Sequence, residues 1–282
     1  MPHLKIVMVL LLGLSVSCLS AAESTGDAPV GDSSDATTAD APAGGDASTP
    51  IDDDHEDDAS SEPDTTDNSE DTQDEEGVPS EGFGVISGAC GLIDNALREQ
   101  IEPTMIQNAI DFLDDPYDEL DYELLSDGGR EIVSDGNAGG SSLYSEVFAF
   151  EVLARCEGAV LLKTETEILY QDPQGKMTDL LVSLDGVQVG VSVTRAVGFP
   201  REDPYTVEQA QGLLEQKLDG ILASSANVTE VDGWDKQILH IIAYAPEHAE
   251  SLGAAFELVD PVLQGNTIVY ITVSNGDDFF LY

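Results

Sequence analysis

Lys176–Ala196 reads KMTDLLVSLDGVQVGVSVTRA. Two runs rich in β-branched and aliphatic residues, Leu180–Leu184 and Val187–Val193, flank Asp185-Gly186. An Asp-Gly pair between alternating hydrophobics is the strongest short-range signal for a two-residue hairpin. Asp179 stands at the start of the first strand. Ser192 and Thr194 alternate with Val191 and Val193 near the end of the second, so they share one face. An acid and two hydroxyls are thus expected close together at one end of a buried hairpin, an arrangement that suits a metal site or its remnant.

Upstream of the hairpin, Ser141-Ser142 is placed to cap a helix over Leu143–Cys156. Its apolar stripe is Leu143, Val147, Phe150, Leu153 and Ala154. Glu146 falls in that stripe and Glu151 lies further round. An acid on a core-facing side requires a partner or a metal; the alternative is a carboxylate skirting the stripe in water. After Gly158 the period changes to two, and Val160–Tyr170 reads as a strand leading through a turn into the hairpin. Downstream, Pro200 and Pro204 mark a loop, and Thr206 with Gln209 caps a helix reaching about Ser224. Lys236–Ala245 is a strand, Pro246–Val259 a helix opened by proline, and Thr267–Ser274 a strand. Asn275-Gly276 then turns into a final Phe279–Tyr282 segment. The order helix, three strands, helix, strand, helix, strand predicts an α/β fold: a mixed central sheet of about five strands with helices on both faces.

The N-terminal third differs in composition. Residues 1–22 carry one Lys, Lys5, before the apolar run Ile6–Leu14, the pattern of an export signal. Two processing routes compete: Ser20-Ala21-Ala22 suits an ordinary signal peptidase, and Leu14–Cys18 resembles a lipobox in which Cys18 is lipidated. The second would make a cell-envelope lipoprotein anchored to the membrane, the first a secreted protein. Residues 23–82 hold 21 of the 56 acids and no Lys or Arg. Such a segment buries too little apolar surface to offset its ordering entropy, and it reads as a disordered, self-repelling spacer. Residues 83–140 read as a helical N-terminal extension. Leu92, Ala96, Ile101, Met105, Ile106, Ile110 and Leu113 suggest two short helices interrupted at Glu102-Pro103. The acids from Asp114 to Glu123 lack calcium-loop spacing, and residues 124–142 read as turns and loop.

The formal net charge is −46, and beyond Gly82 there remain 35 acids against nine Lys and Arg. A surface of that sign repels phosphate backbones, which disfavours nucleic acid as a partner. No nucleophile elbow, Walker loop or dinucleotide fingerprint is present. Of the four His, His240 lies mid-strand and His248 near a helix start, without zinc-ligand spacing. Cys90 and Cys156 are the cysteines left after the signal. In an exported chain they suggest a disulfide tying the N-terminal extension to the core helix; two buried thiols are the alternative. Asn227-Val228-Thr229 is a glycosylation acceptor only in a eukaryotic secretory route.

Over roughly 141–275, this element order with its acids resembles the PD-(D/E)XK restriction-endonuclease-like fold. In that family a helix acid, an Asp opening the second strand, and a Glu-x-Lys in the third assemble a Mg2+ site. The resemblance places Glu146 at the helix acid and Asp179 at the strand Asp. Val-Ser-Val-Thr-Arg looks like Val-Glu-Val-Lys-Arg with both catalytic residues replaced, by Ser192 and Thr194. Lys217 on the following helix is the candidate for a relocated lysine, with Arg195 the other; Lys217 also reads as a surface lysine whose stem covers apolar neighbours. Two functions follow from the resemblance. One is a catalytically degenerate nuclease-like domain acting as a binding or structural module. The other is a divergent Mg2+-dependent phosphodiesterase or nuclease using Glu146, Asp179 and Lys217.

Overall fold

The computed structural model describes residues 78–79, 84–112, 116–139, 141–201 and 203–281. Residues 1–22, read as an export signal with Cys18, and the stretch read as spacer up to residue 77 lie outside the described residues. The described elements run β1 (Val78–Pro79), β2 (Val85–Gly88), α1 (Asn95–Glu99), β3 (Thr104–Asp111), α2 (Asp127–Asp135), α3 (Leu143–Glu157), β4 (Val160–Thr164), β5 (Leu180–Leu184), β6 (Val187–Ala196), α4 (Val207–Asn227), β7 (Lys236–Ala243), α5 (Pro246–Phe256), α6 (Pro261–Gln264) and β8 (Ile268–Val273). They form one mixed sheet in the order β1-β2-β3-β8-β7-β6-β5-β4. All belong to a single compact unit, Asn68–Tyr282.

The hairpin is as the sequence implies. Leu184 pairs with Val187, and Asp185 (φ 47°) and Gly186 (φ 83°) both take the left-handed conformation of a type I′ turn. β4, β5 and β6 form an antiparallel meander. Two-residue turns can make only such antiparallel joins. The parallel pairs β6–β7 and β7–β8 require crossovers, which α4 and α5 supply. β7 is buried at every position, as its continuous apolar run requires for a strand covered on both faces. On one face Ile238 and Ile242 join α3 through Val147, Phe148 and Leu153. On the other, Leu239 and Ile241 join α4 and α5 through Leu214, Leu218 and Leu252.

The N-terminal extension departs from expectation. Thr104–Asp111 is a strand inside the sheet, not a helix, paired in parallel with β8 and antiparallel to β2. Ile106, Asn108 and Ile110 face α3, whereas Met105 and Ala109 pack against the opposite core. With both faces covered, the apolar residues fall at consecutive positions, and their spacing imitates a helix. The sheet therefore has eight strands rather than about five, and its first pairing, at Val78–Pro79, lies within the stretch read as spacer.

Residues 127–135, read as loop, form α2, capped by Ser126, whose hydroxyl accepts from the Gly129 amide. Gly128 and Gly129 serve close packing here, not a turn. A Cβ on Gly129 would sit 2.2 Å from Glu151 Oε1, and one on Gly128 would sit 2.4 Å from the Phe150 ring. β4 ends at Thr164, short of Tyr170, which makes only an isolated bridge to Val228. Phe279–Leu281 is a 3-10 turn rather than a strand. Cys90, in the turn after β2, is bonded to Cys156 near the end of α3, with Cα atoms 4.7 Å apart.

Two stability measurements check this packing. Reduction of the disulfide, which spans a separation of 66 residues, is expected to cost about 4 kcal/mol in urea unfolding by release of a long loop in the unfolded chain. Gly129→Ala is expected to cost about 1–3 kcal/mol. Glu151 cannot retreat, because its Oε1 already accepts from the Ser126 amide and hydroxyl and its Oε2 from Arg155.

Candidate functional site

Glu146 lies in the first turn of α3 and is 2% exposed. Its burial is made tolerable by two donors to Oε1: the Ser142 hydroxyl at 2.9 Å and Asn137 Nδ2 at 2.6 Å. Ser142 occupies the helix N-cap yet makes no side-chain cap bond. Its hydroxyl is spent on the carboxylate instead of the orphan amides of the helix start. Glu146 Oε2 has no hydrogen bond to another described residue.

Asp179 immediately precedes β5. Its amide donates to the Val191 carbonyl at 3.1 Å, and its Oδ2 accepts from the Val193 amide at 2.6 Å. The side chain thereby continues the β5–β6 ladder past its last backbone pair and is held at the sheet end. Oδ1 carries no hydrogen bond among the described residues. Glu165, just past β4, accepts from the Ala138 amide at 2.9 Å, which draws the loop after α2 toward the same region.

These acids disturb one another. Burial first, then the Asp179 charge, push the Glu146 carboxyl up to about 7. Asn137 and Ser142 oppose that rise and Glu165 adds to it. Burial also raises Asp179, to about 6, with Glu165 adding, while the Val193 amide and the Lys217 ammonium pull it down. Lys217, half-buried on α4, is thus a positive charge felt by Asp179. Because α4 covers the sheet face opposite α3, the lysine stands across the sheet from the helix that carries Glu146.

Ser192 lies on that α4 face and is 9% exposed, with its Oγ 3.0 Å from Thr178 Oγ1. Thr194 follows on the same face, half-buried. Arg195 points to the other face and donates to the Leu281 carbonyl, so it does not stand beside Asp179. His240 is sealed in the core, with Nε2 2.8 Å from Thr272 Oγ1. The Asn227 amide nitrogen of the glycosylation triplet is bonded to the Asp172 and Lys176 carbonyls.

Two contributors were not singled out in the sequence. Glu165 was hidden because the strand was extended to Tyr170, which made it one more mid-strand residue. Asn137 lay in a glycine-rich stretch with no periodicity. Among the described residues, the one trio of carboxylates within 4.8 Å of one another is Glu131, Asp135 and Glu167, all exposed. Glu146, Asp179 and Glu165 therefore do not close into a three-carboxylate cage.

No protein-family model matches the chain. It is 41% identical over 162 residues to the AAC-rich mRNA clone AAC4 protein of Dictyostelium discoideum, a match covering 55% of this chain and 24% of that protein. The chain thus spans about a quarter of that relative's length. Among solved structures it is similar to Pyrococcus furiosus SfsA in complex with Ca2+. That likeness has a TM-score of 0.23 and 19% identity, and it covers 46% of this chain and 54% of the other.

The site has a direct thermodynamic signature. A carboxyl whose folded pKa is raised favours the native state below its unfolded pKa and loses that contribution as pH rises through the folded value. Stability is therefore expected to fall between about pH 4 and about pH 7 through Asp179 and Glu146. Melting temperatures of wild type and Glu146→Gln across that range check this, with a shallower decline expected in the variant.

Proposed function

We propose that residues 141–282 are a restriction-endonuclease-like domain that binds one divalent cation, Mg2+ or Mn2+, through Glu146 and Asp179. We further propose that it acts as a divergent phosphodiester hydrolase with Lys217 as its relocated lysine. The observation that carries the reading is the state of the two carboxylates. Each has one oxygen tied to the protein and one without a described partner, and each is pushed well above its ordinary pKa. Mg2+ keeps several waters and commonly takes one or two carboxylates plus substrate phosphate, so the absence of a three-acid cage does not conflict with this donor set. When bound, such an ion supplies Lewis-acid polarisation of a phosphoryl oxygen and an acidified water.

The chain's own residues have defined parts in this reading. Asn137 and Ser142 orient Glu146. The Val193 amide fixes Asp179 at the sheet end. Lys217 offsets the carboxylate charge and offers a donor for a non-bridging phosphate oxygen. Glu165 holds the loop after α2 and sharpens the field that favours a cation.

A second reading is supported by Ser192, which stands where the family has its Glu. Its hydroxyl is engaged with Thr178 rather than open, so the domain would keep cation binding and lack turnover. The strongly acidic surface restricts a hydrolase to small or single-charged phosphodiesters, since a long nucleic acid would be repelled. For location, we propose export, with Cys18 as a lipid anchor and the acidic segment as tether. The charge and apolar pattern of residues 1–22 and the Cys90–Cys156 bond support this, because disulfides persist in oxidising compartments.

Calorimetric titration of Mn2+ into the full chain, beside Asp179→Ala, tests the first reading. The expected result is one stoichiometric site present in wild type and absent in the variant, above diffuse binding common to both. In the same preparation, Lys217→Met is expected to keep the cation and lose hydrolysis of bis(4-nitrophenyl) phosphate. Binding without hydrolysis in wild type would select the second reading, and identical titrations of wild type and Asp179→Ala would discard both.

A further inference from the structure

A sizeable cavity lies away from Glu146. It has a volume of about 480 Å3 and opens where the parallel strands β6 and β7 end, between the loop after β6 and the first turns of α5. Ligands in open α/β sheets bind in the crevice beyond the carboxyl ends of the strands, and this volume lies within the range of small-molecule sites.

The wall chemistry selects a ligand. His248 lines the cavity and is 5% exposed. Its Nδ1 lies 3.0 Å from the Ala196 carbonyl oxygen. A carbonyl only accepts, so the proton of that bond sits on Nδ1, and in the neutral ring Nε2 is an acceptor. Nε2 has no hydrogen bond to another described residue. A buried side chain with one bare acceptor at a cavity wall calls for a donor from outside. Two rings flank it: Tyr205 at 5.1 Å and Tyr244 at 5.7 Å between centroids. The Tyr205 segment is fastened to α5 by the Ser251 hydroxyl, which donates to the Tyr205 carbonyl at 2.7 Å, so the aromatic wall is pre-formed. Asp203, Glu247 and Glu250 stand around the opening against Arg201 alone, and Arg201 is stacked on Phe279, 4.4 Å from the ring centroid. The surplus of carboxylates excludes an anion despite the nearby α5 N-terminus. No group of three metal ligands includes these residues, which excludes a metal cage among the described residues.

We propose that this cavity is a binding site for a small organic ammonium with an aromatic or apolar body. In it the ammonium faces Glu247, Glu250 and Asp203, the body lies against Tyr205 and Tyr244, and an N–H donates to His248 Nε2. Aromatic faces attract cations through their quadrupole, and the carboxylates add attraction that is modest singly and cumulative together. The site is separate from the Glu146–Asp179 region and stands whether or not that region binds a cation.

The test uses two probes of one shape, phenethylamine and 2-phenylethanol, titrated into the full chain. Ionic strength of about 0.15 M screens the diffuse pull of the acidic segment. The expected result is saturable one-to-one binding of the amine, at least about tenfold tighter than the alcohol. Glu247→Gln combined with Glu250→Gln removes exposed charges and leaves the core intact, and it is expected to erase most of that difference. Tyr244→Leu is expected to weaken both probes. Equal affinity for amine and alcohol, no saturation by the amine in the millimolar range, or amine binding unchanged in the double variant would each overturn the proposal.

Discussion

A chain of hydrogen bonds buried between α3 and the sheet sets the register on which the rest of the molecule depends. The Glu157 carboxylate accepts from the Gly91 and Ile93 amides and from the Tyr270 hydroxyl. Tyr270 accepts from Asn108, whose carbonyl oxygen accepts from Thr272, which meets His240 at 2.8 Å. Three adjacent strands, β3, β8 and β7, are joined through side chains as well as through their backbones. A one-residue slip of any of them would turn its polar member to the opposite core. Each group so stranded would cost about 1–3 kcal/mol. Burial lowers the His240 pKa to about 3, hence the ring is neutral and adds no charge at the core end of this chain.

Once β7 is placed, β6 follows in parallel, and the hairpin brings β5 between β6 and the edge strand β4. The candidate site is the by-product of that placement. Glu146, Asp179 and Glu165 come from three separate elements and share a region that none can fully solvate. Stable cores neutralise or pair such groups. Among the described residues Lys217 leans on Asp179, and the balance is left to protonation. Unrelieved carboxylate repulsion at a sheet end is a local departure from the consistency of the rest of the fold, the kind of departure expected where function is located.

The hairpin, the crossovers and helices α3 to α5 were legible because each has an unambiguous local signal: Asp-Gly between alternating residues, a capping Thr206, and Pro246 at a helix start. Glu146 and Asp179 were singled out from their positions in the element order alone. β3 was not, because a strand covered on both faces loses its alternation, and Asn108 in its centre reads as surface. α2 was not, because Gly128-Gly129 is turn chemistry unless the neighbouring helix is known to lie within a Cβ's reach. Ser192 and Thr194 share one face of β6, as their alternation with Val191 and Val193 implies. The engagement of Ser192 with Thr178 could not be read, since cross-strand pairing of hydroxyls depends on register beyond the hairpin. The cavity at the carboxyl ends was missed because His248 gains meaning only through the Ala196 carbonyl, 52 residues away.

The parallel pairing of β3 with β8 bears on how the chain is made. Asn108 must wait for Thr272, 164 residues later, and everything from α2 to α6 is synthesised between them. Until β8 arrives, β3 has one unpaired edge and apolar residues on both sides, the profile of a segment that recruits other chains. Long-range pairing of this sort also slows folding. Cys90 and Cys156 both precede β4 in sequence, so their bond ties β2, and with it β3, to α3 without any contribution from β8. The disulfide thus fastens the part of the sheet that comes first in sequence to the helix that covers it, independently of the strand that comes last.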